Sequence, residues 1–395
     1  MKTTWKLIAA AACAMALAAP ASAQQKIKIG FITTLSGPQG VIGKHMKDSV
    51  ELALDHLGHK MAGIPVEVVY GDDQFKPDVG VQVVEEMLKK DQVDFVAGEI
   101  WSNIMLAIVP VVTKSGHIMV GTNAGASPLA GEQCDRLFFT TSWNNDQAPE
   151  AMGKFLQDSK IDDLYLMAPN YQAGKDMMGA FRETFLPAGG KVVAEDYPKL
   201  GETDYAPYLT KIKQSGAKAV FAFFSGSYAV NFVKQYDQFG LKQSIKLTGA
   251  GFLTEPDVLP AQGTSALGVI TGHFYTPLLD NPTNQRFVKE FHDKFGGKMP
   301  DGFACQGYDT AEVIVRSLKA VNGNTQDKDK LVEVITKTEF ESPRGHFRFD
   351  PKTHNVIQPF IYIREVKEVA GGINNVPIDK VADVKDPGTG CTLPA

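Results

Sequence analysis

The chain has 395 residues, of which 44% are hydrophobic and 22% are charged, and its formal net charge is −5. These values are ordinary for a globular protein, and they exclude a wholly disordered chain, a collagen-like chain and a multi-span membrane protein. The basic excess that is typical of proteins that coat nucleic acid does not occur, so we expect no nucleic-acid partner. The length predicts two domains of roughly 150–200 residues each.

Residues 1–23 have the pattern of a secretory signal peptide. Two lysines precede an uncharged apolar run at residues 7–19, and an A-x-A cleavage pattern follows at residues 21–23. The run is shorter than the roughly 20 residues that a membrane-spanning helix needs. We therefore expect cleavage at this motif and export to the periplasm. The alternatives are a membrane anchor and a lipoprotein built on Cys13.

Three cysteines follow this segment, namely Cys134, Cys305 and Cys391. An oxidising compartment permits one disulfide and leaves one thiol over. Cys305 lies in an apolar stretch before a predicted helix, where a buried thiol is common. Cys134 and Cys391 both lie in polar loop sequence. Three pairings are open, and we favour Cys134–Cys391.

From Ile27 onward, short apolar strands alternate with longer amphipathic helices. The predicted strands cover residues 27–33, 65–70, 94–97, 117–120, 137–140, 163–168, 191–194, 217–224, 245–247 and 267–272, with β-like segments at 346–349 and 356–363 before a Pro/Gly-containing tail. The predicted helices cover residues 41–57, 79–90, 102–113, 146–157, 173–185, 205–214, 228–239 and 255–259. Three more helices, at 284–295, 306–321 and 328–336, follow with few strands between them.

This alternation predicts an α/β fold in which parallel sheets carry helices on both faces. The rhythm is interrupted near residues 141–145, so we expect two such sheets. The last three helices have too few strands to form a sheet of their own, and we expect them to return and cover the first sheet. The two domains are therefore predicted to be discontinuous.

Sequence motifs for catalysis are not found. The patterns H-E-x-x-H, G-x-S-x-G, Walker A and C-x-x-C do not occur. Gly37, Gly40 and Gly43 are spaced G-x-x-G-x-x-G, which is not the dinucleotide fingerprint. His56 and His59 lie at the polar end of a predicted helix, where solvated side chains are more common than a metal pair. We expect a binding protein with no catalytic residue, metal or cofactor.

Small polar and aromatic residues recur after the carboxyl ends of the predicted strands, where ligands collect in open α/β sheets. Ser102 begins a helix after one such strand, and the free amides of the helix start form an anion site. The stretches with this character are 34–40, 98–102, 121–125, 169–172, 223–226, 249–252 and 273–275. Helix capping alone explains any single case, but the convergence of several strand ends predicts a ligand site.

Short motifs occur in a fixed order along the chain, at residues 27–30, 36–38, 72–73, 146–147, 171–174 and 307–309. Together they resemble the type I periplasmic binding proteins of the branched-chain amino acid type, the substrate-binding subunits of ABC importers. The resemblance implies two Rossmann-like lobes with parallel sheets, joined by three hinge crossovers, with the ligand in the cleft. It also implies a monomer that delivers its ligand to an ABC transporter permease in the inner membrane.

The lobes expected from this topology are each made of two segments. Lobe 1 is expected at residues 24–142 plus 276–350. Lobe 2 is expected at residues 143–275 plus 351–395.

In the leucine/isoleucine/valine binders of this family, a serine hydroxyl and backbone amides hold the ligand carboxylate. Ser102 matches that serine, and Asn123 and Gly125 match the backbone positions. These binders hold the ligand ammonium with an acidic residue after the strand that corresponds to 245–247, where this chain reads Gly-Ala-Gly-Phe at 249–252. Burying an ammonium without a carboxylate partner is costly. The resemblance therefore implies the part of the site that binds the ligand carboxylate, but not the part that binds an ammonium.

Aromatic and neutral residues stand in place of that acid. Flat apolar walls suit a ring, so we expect an aromatic carboxylate such as a benzoate or hydroxycinnamate derivative. The predicted ligand-binding residues are Ile42, Trp101, Ser102, Thr122, Asn123, Ala124, Gly125, Tyr171, Phe224, Ser225, Gly251, Phe252 and His273. The alternatives are binding of a branched-chain or other amino acid, a ligand sensor that docks on a receptor, and a periplasmic enzyme such as a hydrolase.

Overall fold

A computed structural model describes residues 26–393 of the chain, so the predicted signal peptide lies outside the described residues. The strands are β1 (Ile27–Thr33), β2 (Lys60–Met61), β3 (Ile64–Asp72), β4 (Phe95–Gly98), β5 (Ile118–Gly121), β6 (Phe138–Thr140), β7 (Asp163–Met167), β8 (Lys191–Asp196), β9 (Ala219–Ala222), β10 (Lys246–Ala250), β11 (Ile270–His273), β12 (Phe340–Ser342), β13 (Gly345–Phe347), β14 (Gln358–Val369) and β15 (Gly372–Val384). The helices are α1 (Gly40–His56), α2 (Pro77–Glu86), α3 (Ser102–Lys114), α4 (Ser127–Ala130), α5 (Gln147–Asp158), α6 (Gln172–Phe185), α7 (Ala206–Gln214), α8 (Gly226–Gln238), α9 (Leu259–Gln262), α10 (Pro282–Lys294), α11 (Gly302–Ala320) and α12 (Lys328–Thr336).

Two large sheets organise the molecule. The first has the strand order β2-β3-β1-β4-β5-β6, and its pairings are parallel except for that between β2 and β3. The second has the order β15-β14-β11-β10-β9-β7-β8, in which β14 and β15 pair antiparallel with their neighbours. Every residue of β4 and of β9 is buried, as expected of parallel strands that are covered on both faces. The predicted α/β class is confirmed.

The chain passes between the two sheets three times. It leaves the first sheet after β6, returns after β11, and enters the second sheet again at β14. The predicted lobe boundaries at residues 142, 275 and 350 fall in these three passages, and we propose them as the limits of the lobes.

The three helices before β12 belong with the first sheet. α11 packs along α1 at Gly307, where an added Cβ would lie 2.2 Å from Ser49 Oγ and 2.6 Å from Met46 O. A side chain larger than hydrogen would therefore separate the two helices. This close packing brings the third helical group back onto the first lobe, as the sequence predicts.

The predicted helix at residues 255–259 is wrong. Glu255 is extended, with ψ 158°, and short 3-10 and α-helical turns lie before and after it at Gly251–Thr254 and Leu259–Gln262. Glu255 precedes a proline, and the residue before a proline disfavours helix. Its carboxylate also forms an ion pair with Arg364 at 2.8 Å. A local pattern cannot report that long-range pair.

The β-like segment that the sequence predicts to end at residue 363, before a Pro/Gly-containing tail, is longer in the structure. β14 continues to Val369, and β15 pairs with it as a long antiparallel hairpin. The hairpin turns at Gly371 and Gly372, which both have positive φ. β15 is an edge strand whose residues are mostly exposed or half-buried, so its alternation of apolar and polar residues is weak.

The structure joins Cys134 to Cys391 by a disulfide and leaves Cys305 as a buried thiol. This is the pairing favoured from the sequence, and it ties the C-terminal segment to the loop after α4. Among the described residues, the longest apolar helical stretches fall short of what a membrane crossing requires.

Candidate functional site

A small cavity lies between the two lobes. It opens at the carboxyl ends of β4 and β5 in the first sheet and of β7, β9 and β10 in the second. Its lining consists of Ile100, Trp101, Ser102, Asn123, Ala124, Gly125, Trp143, Asn145, Tyr171, Ala173, Met177, Phe223, Ser225, Phe252 and Phe303. This described lining contains aromatic, aliphatic, hydroxyl and amide groups but no acidic or basic side chain.

Eight of the predicted site residues line this cavity together. They are Trp101, Ser102, Asn123, Ala124, Gly125, Tyr171, Ser225 and Phe252. Each follows the carboxyl end of a parallel strand, and the two sheets face each other with these ends toward the same cleft. Their roles in ligand binding stay a prediction.

The other predicted residues lie outside the lining. Thr122 Oγ1 accepts a hydrogen bond from Thr310 Oγ1 at 3.0 Å, beneath the site. Ile42 is buried in the core of the first lobe, near the start of α8. Phe224 packs on Phe232 in the core of the second lobe, with ring centroids 4.6 Å apart. Its neighbour Phe223 faces the cavity instead.

Gly251 and His273 support the site from behind. An added Cβ at Gly251 would lie 2.0 Å from the His273 ring, so only glycine allows the two to pack this closely. His273 is fully buried and meets Phe252 edge to face at 4.9 Å. Burial lowers the pKa of His273 well below its ordinary value, so the imidazole is neutral. His273 therefore lies behind Phe252 and outside the cavity lining, and its predicted contact with ligand stays a prediction.

Seven lining residues are not among the predicted ligand-binding residues, namely Trp143, Asn145, Phe223, Phe303, Ile100, Ala173 and Met177. Trp143 and Asn145 lie in the first passage between the lobes, which the sequence marked as a boundary but not as part of the site. Phe303 comes from the start of α11, more than a hundred residues away from the other lining residues of its lobe. The loss of regular pattern at the first passage was the available signal for the first two, whereas nothing local indicates Phe303.

The polar end of the cavity is built on the start of α3. Ser102 is the first residue of this helix, and the first amides of a helix have no acceptor within it. Ser102 Oγ accepts a hydrogen bond from Asn145 Nδ2 at 3.2 Å, so its own hydrogen is free to donate. Asn145 Nδ2 also lies 2.8 Å from Asp176 Oδ2, which holds the amide in place. The free amides and the hydroxyl donor together suit an anion.

A second loop of the first lobe adds an acceptor beside this polar end of the cavity. Asn123 Nδ2 donates to Ile100 O at 2.9 Å, whereas its Oδ1 is buried without a partner among the described residues. Gly125 allows the loop to pack under the first passage, because an added Cβ would lie 2.4 Å from Trp143 O. The loop therefore presents an unpaired amide oxygen close to the helix start.

Aromatic rings form a continuous wall that extends from one lobe to the other. Phe252 meets Trp143 edge to face at 4.6 Å and stacks on Phe303 at 5.0 Å. Tyr171 bridges the wall, with its centroid 6.2 Å from both Trp101 and Phe223. These are the separations of favourable aromatic pairs, so the rings pack against one another along the cavity.

The two lobes are in contact in this structure. Gln39 Nε2 of the first lobe donates to Ser227 Oγ of the second at 3.0 Å. On the opposite side, Glu255 Oε2 accepts from the Gly302 amide at the start of α11 at 2.6 Å. The cavity is therefore described in a closed arrangement.

Arg344 connects the passages that join the lobes. It is fully buried, forms an ion pair with Asp309 at 2.9 Å and donates to Ser142 O at 2.5 Å. Gln358 Nε2 donates to the same carbonyl at 2.8 Å. Burial raises the pKa of Asp309 to about 6, although Arg344 acts in the opposite direction. The first and third passages are thus held against each other by one buried guanidinium.

Comparison with known proteins gives consistent matches along the chain. A family model described as periplasmic binding protein matches residues 26–375. Leu/Ile/Val-binding protein homolog 6 of Brucella melitensis is 32% identical over 388 residues, covering 97% of this chain and 98% of that protein.

Solved structures match over the same extent. A solute-binding protein of an ABC transporter from R. palustris, in complex with benzoate, has a TM-score of 0.89 and 30% identity and covers 93% of this chain and 100% of that one. Another, from Rhodopseudomonas palustris BisB5 in complex with 3,4-dihydroxy benzoic acid, has a TM-score of 0.88 and 31% identity and covers 92% and 99%.

Proposed function

The chain belongs to the periplasmic binding protein family and is a substrate-binding protein of an ABC transporter, and we propose that its ligand is an aromatic carboxylate of the benzoate or hydroxycinnamate class. The observation that carries this proposal is the cavity itself, which combines an anion-binding helix start with aromatic walls and has no charged side chain in its described lining. Closure of the lobes traps the ligand, and the closed protein delivers it to a membrane permease.

The carboxylate of the ligand binds at the start of α3. Ser102 Oγ and the first amides of the helix donate to its oxygens, and the helix dipole adds a favourable term for negative charge. Hydrogen bonds to a charged acceptor are about twice as strong as neutral ones. An anionic group is therefore recognised here without a basic side chain.

The ring of the ligand lies between the aromatic walls. Trp101, Tyr171 and Phe252 are among the residues that line this cavity. Closing the lobes on a flat apolar group buries its faces, at about 25 cal/mol per Å² of area removed from water. The two R. palustris structures, whose ligands are benzoate and 3,4-dihydroxy benzoic acid, support the same class.

A branched-chain amino acid is the second candidate, because the Brucella relative is named as a Leu/Ile/Val-binding protein homolog. Its ammonium would need a carboxylate partner inside the closed cavity. Asp176, which contacts the lining residue Asn145, already accepts from Asn145, from Gln172 at 2.7 Å and from the Ser127 amide at 3.1 Å. Burial also raises the pKa of Asp176, which disfavours its charged form. These contacts favour the aromatic acid.

The predicted signal peptide and the family support a periplasmic location. The matched family and the solved structures are binding proteins, and we propose that the chain acts as a monomer without enzymatic activity. A sensor role uses the same site, and a transport assay with the partner permease separates the two.

A thermal-shift panel tests the ligand class. Benzoate, 4-hydroxybenzoate and 4-hydroxycinnamate are compared with leucine and valine, and benzamide serves as the neutral control. A ligand at 100 times its Kd stabilises the native state by about 2.7 kcal/mol. We expect the three acids to raise the melting temperature, benzamide to raise it less, and the amino acids to have little effect. A rise with leucine or valine and none with the aromatic acids would overturn the proposal.

A further inference from the structure

Glu99 ties together the two loops that build the anion-binding end of the cavity. It lies between β4 and α3, is fully buried and has a positive φ of 74°, which is unusual for a residue other than glycine. Its carbonyl accepts the amides of Asn123 at 3.2 Å and Ala124 at 3.1 Å, and its own amide donates to Ile32 O at 2.7 Å. One residue thus fixes the second loop against the first.

The side chain of Glu99 fixes the first loop as well. Glu99 Oε1 accepts the amides of Ile100 at 2.9 Å and Trp101 at 2.8 Å. These two amides directly precede Ser102, so the carboxyl group sets the position at which α3 begins. Glu99 itself is not among the residues that line the cavity.

Asp73 holds the same loop through the indole ring of Trp101. Asp73 Oδ1 accepts from Thr34 Oγ1 at 2.5 Å, and Thr34 Oγ1 accepts from Trp101 Nε1 at 2.9 Å. Asp73 Oδ1 also accepts the amide of Phe75 at 2.6 Å, and the Phe75 ring meets Trp101 edge to face at 4.5 Å. The backbone of Trp101 is therefore held by Glu99 and its ring by Asp73.

The remaining oxygen of each acid is buried and has no donor among the described residues. These atoms are Glu99 Oε2 and Asp73 Oδ2, and the two carboxyl groups are close enough that each shifts the pKa of the other. Two carboxylates cannot hydrogen bond to each other, because both are acceptors. One proton between them gives each of the four oxygens a partner.

We propose that Glu99 and Asp73 share one proton and thereby position Trp101 and Ser102 to bind the ligand carboxylate. The proton belongs to Glu99, since Asp73 already accepts from a hydroxyl and an amide. Burial and the adjacent charge of Asp73 raise the pKa of Glu99 well above its ordinary value. The nearby Asp72 carboxylate, which binds the amides of Leu35 and Gln74, adds a further negative charge beside the pair.

Glu99→Gln is the discriminating variant, because its amide keeps the acceptor for the two loop amides and supplies a permanent donor to Asp73. We expect its affinity for benzoate at pH 7 to stay within about threefold of wild type, and that of Glu99→Ala to fall at least about tenfold. Exposed Glu368→Gln is the matched control. This part of the test rests on the proposed function. Loss of binding in Glu99→Gln equal to that in Glu99→Ala would overturn the proposal.

A second readout needs no ligand. Above the ordinary pKa of glutamate, the unfolded wild-type chain releases a proton that native Glu99 keeps. Wild-type stability must therefore fall with rising pH relative to Glu99→Gln. We expect the ratio of their unfolding constants to change about tenfold per pH unit between about pH 5.5 and 7.5. A ratio that is constant over this range would show that Glu99 is ionised in the native protein and would overturn the proposal.

Infrared difference spectra between wild type and Glu99→Gln should contain the carbonyl band of one protonated carboxylic acid at pH 7, and no such band would contradict the shared proton. If Glu99→Gln does not fold, Asp73→Asn provides the same comparison, since its amide donates to a charged Glu99. If wild type does not bind benzoate, the proposed function fails, whereas the stability ratio and the infrared band still decide this proposal.

Discussion

Ser102→Ala is the substitution that isolates carboxylate recognition. In the closed structure Ser102 Oγ accepts from Asn145 Nδ2 at 3.2 Å and keeps its own hydrogen free for the cavity. Removing the hydroxyl leaves Asn145 Nδ2 with its second acceptor, Asp176 Oδ2, at 2.8 Å. The ligand-free protein therefore loses about 1 kcal/mol or less, while the complex loses a donor to a charged oxygen.

The expected magnitude follows from that charge. A hydrogen bond to a charged group contributes about 1.5–3 kcal/mol, which corresponds to a roughly 10- to 150-fold rise in the Kd of benzoate. For benzamide, whose carbonyl is neutral, the lost hydrogen bond contributes about 0.5–1.5 kcal/mol, which corresponds to a roughly 2- to 12-fold rise in the Kd. Isothermal titration calorimetry of both ligands measures the two effects directly.

The matched control is Ser115→Ala at the opposite end of α3, where the hydroxyl donates to Val112 O at 2.6 Å. It should leave the Kd of benzoate unchanged. An unchanged Kd in Ser102→Ala would refute the reasoning, because the helix start would then not hold the carboxylate. Equal losses for benzoate and benzamide would refute the claim that charge decides recognition.

Three further predictions concern stability. Cys391→Ser opens a disulfide that spans 257 residues, and it should lower the free energy of unfolding by about 2–5 kcal/mol in urea denaturation and leave benzoate affinity unchanged. Burial opposes the charged form of His45, but the Asp301 carboxylate, whose Oδ2 lies 2.6 Å from His45 Nδ1, raises the pKa of His45 to about 9. The stability that this pair contributes is complete below about pH 6.5 and is lost as the pH rises through 9. A His45→Gln variant should not show that loss. Arg344→Met leaves Asp309 buried without its cation and should cost about 3–5 kcal/mol, part of which Asp309→Leu restores.

Each of these predictions has a clear opposite result. The opposite result for Cys391→Ser is a stability equal to that of wild type, which would show that the disulfide adds nothing to the folded protein. The opposite result for His45→Gln is a loss of stability at alkaline pH in parallel with wild type. The opposite result for Arg344→Met is unfolding at the same urea concentration as wild type. The other two would show that these two buried pairs are replaceable by neutral side chains.

The part of the cavity lining in the first lobe could be predicted because it follows from a local pattern. Ser102, Asn123 and Gly125 come two to four residues after short buried strands, and the carboxyl ends of parallel strands share one edge of a sheet. The alternation of strands and helices was enough to locate those ends. The sequence pattern therefore indicates both the fold class and this edge.

The part of the cavity lining in the second lobe depends on the direction in which individual side chains point. Successive residues of an extended segment point to opposite faces, so the sequence could name the strand end at 223–224 but not which phenylalanine faces the cavity. Phe223 lines it and Phe224 packs in the core. Phe303 and Trp143 enter the site only because the lobes are joined by three passages, and that arrangement is a long-range property.

The errors in the fold have the same origin. Glu255 follows an apparent helical pattern, yet its carboxylate pairs with Arg364 far along the chain and its neighbour is a proline. β15 has little apolar alternation because it is a solvated edge strand, and its existence depends on pairing with β14. In both cases a contact between distant segments outweighs the local preference.

A crystal structure of the protein with 4-hydroxybenzoate tests the central claim most directly. The account predicts the ring between Trp101 and Phe252, with a carboxylate oxygen within hydrogen-bond distance of Ser102 Oγ and the first amides of α3. A carboxylate bound away from Ser102, or a cavity that stays empty with this acid and fills with leucine, would contradict it.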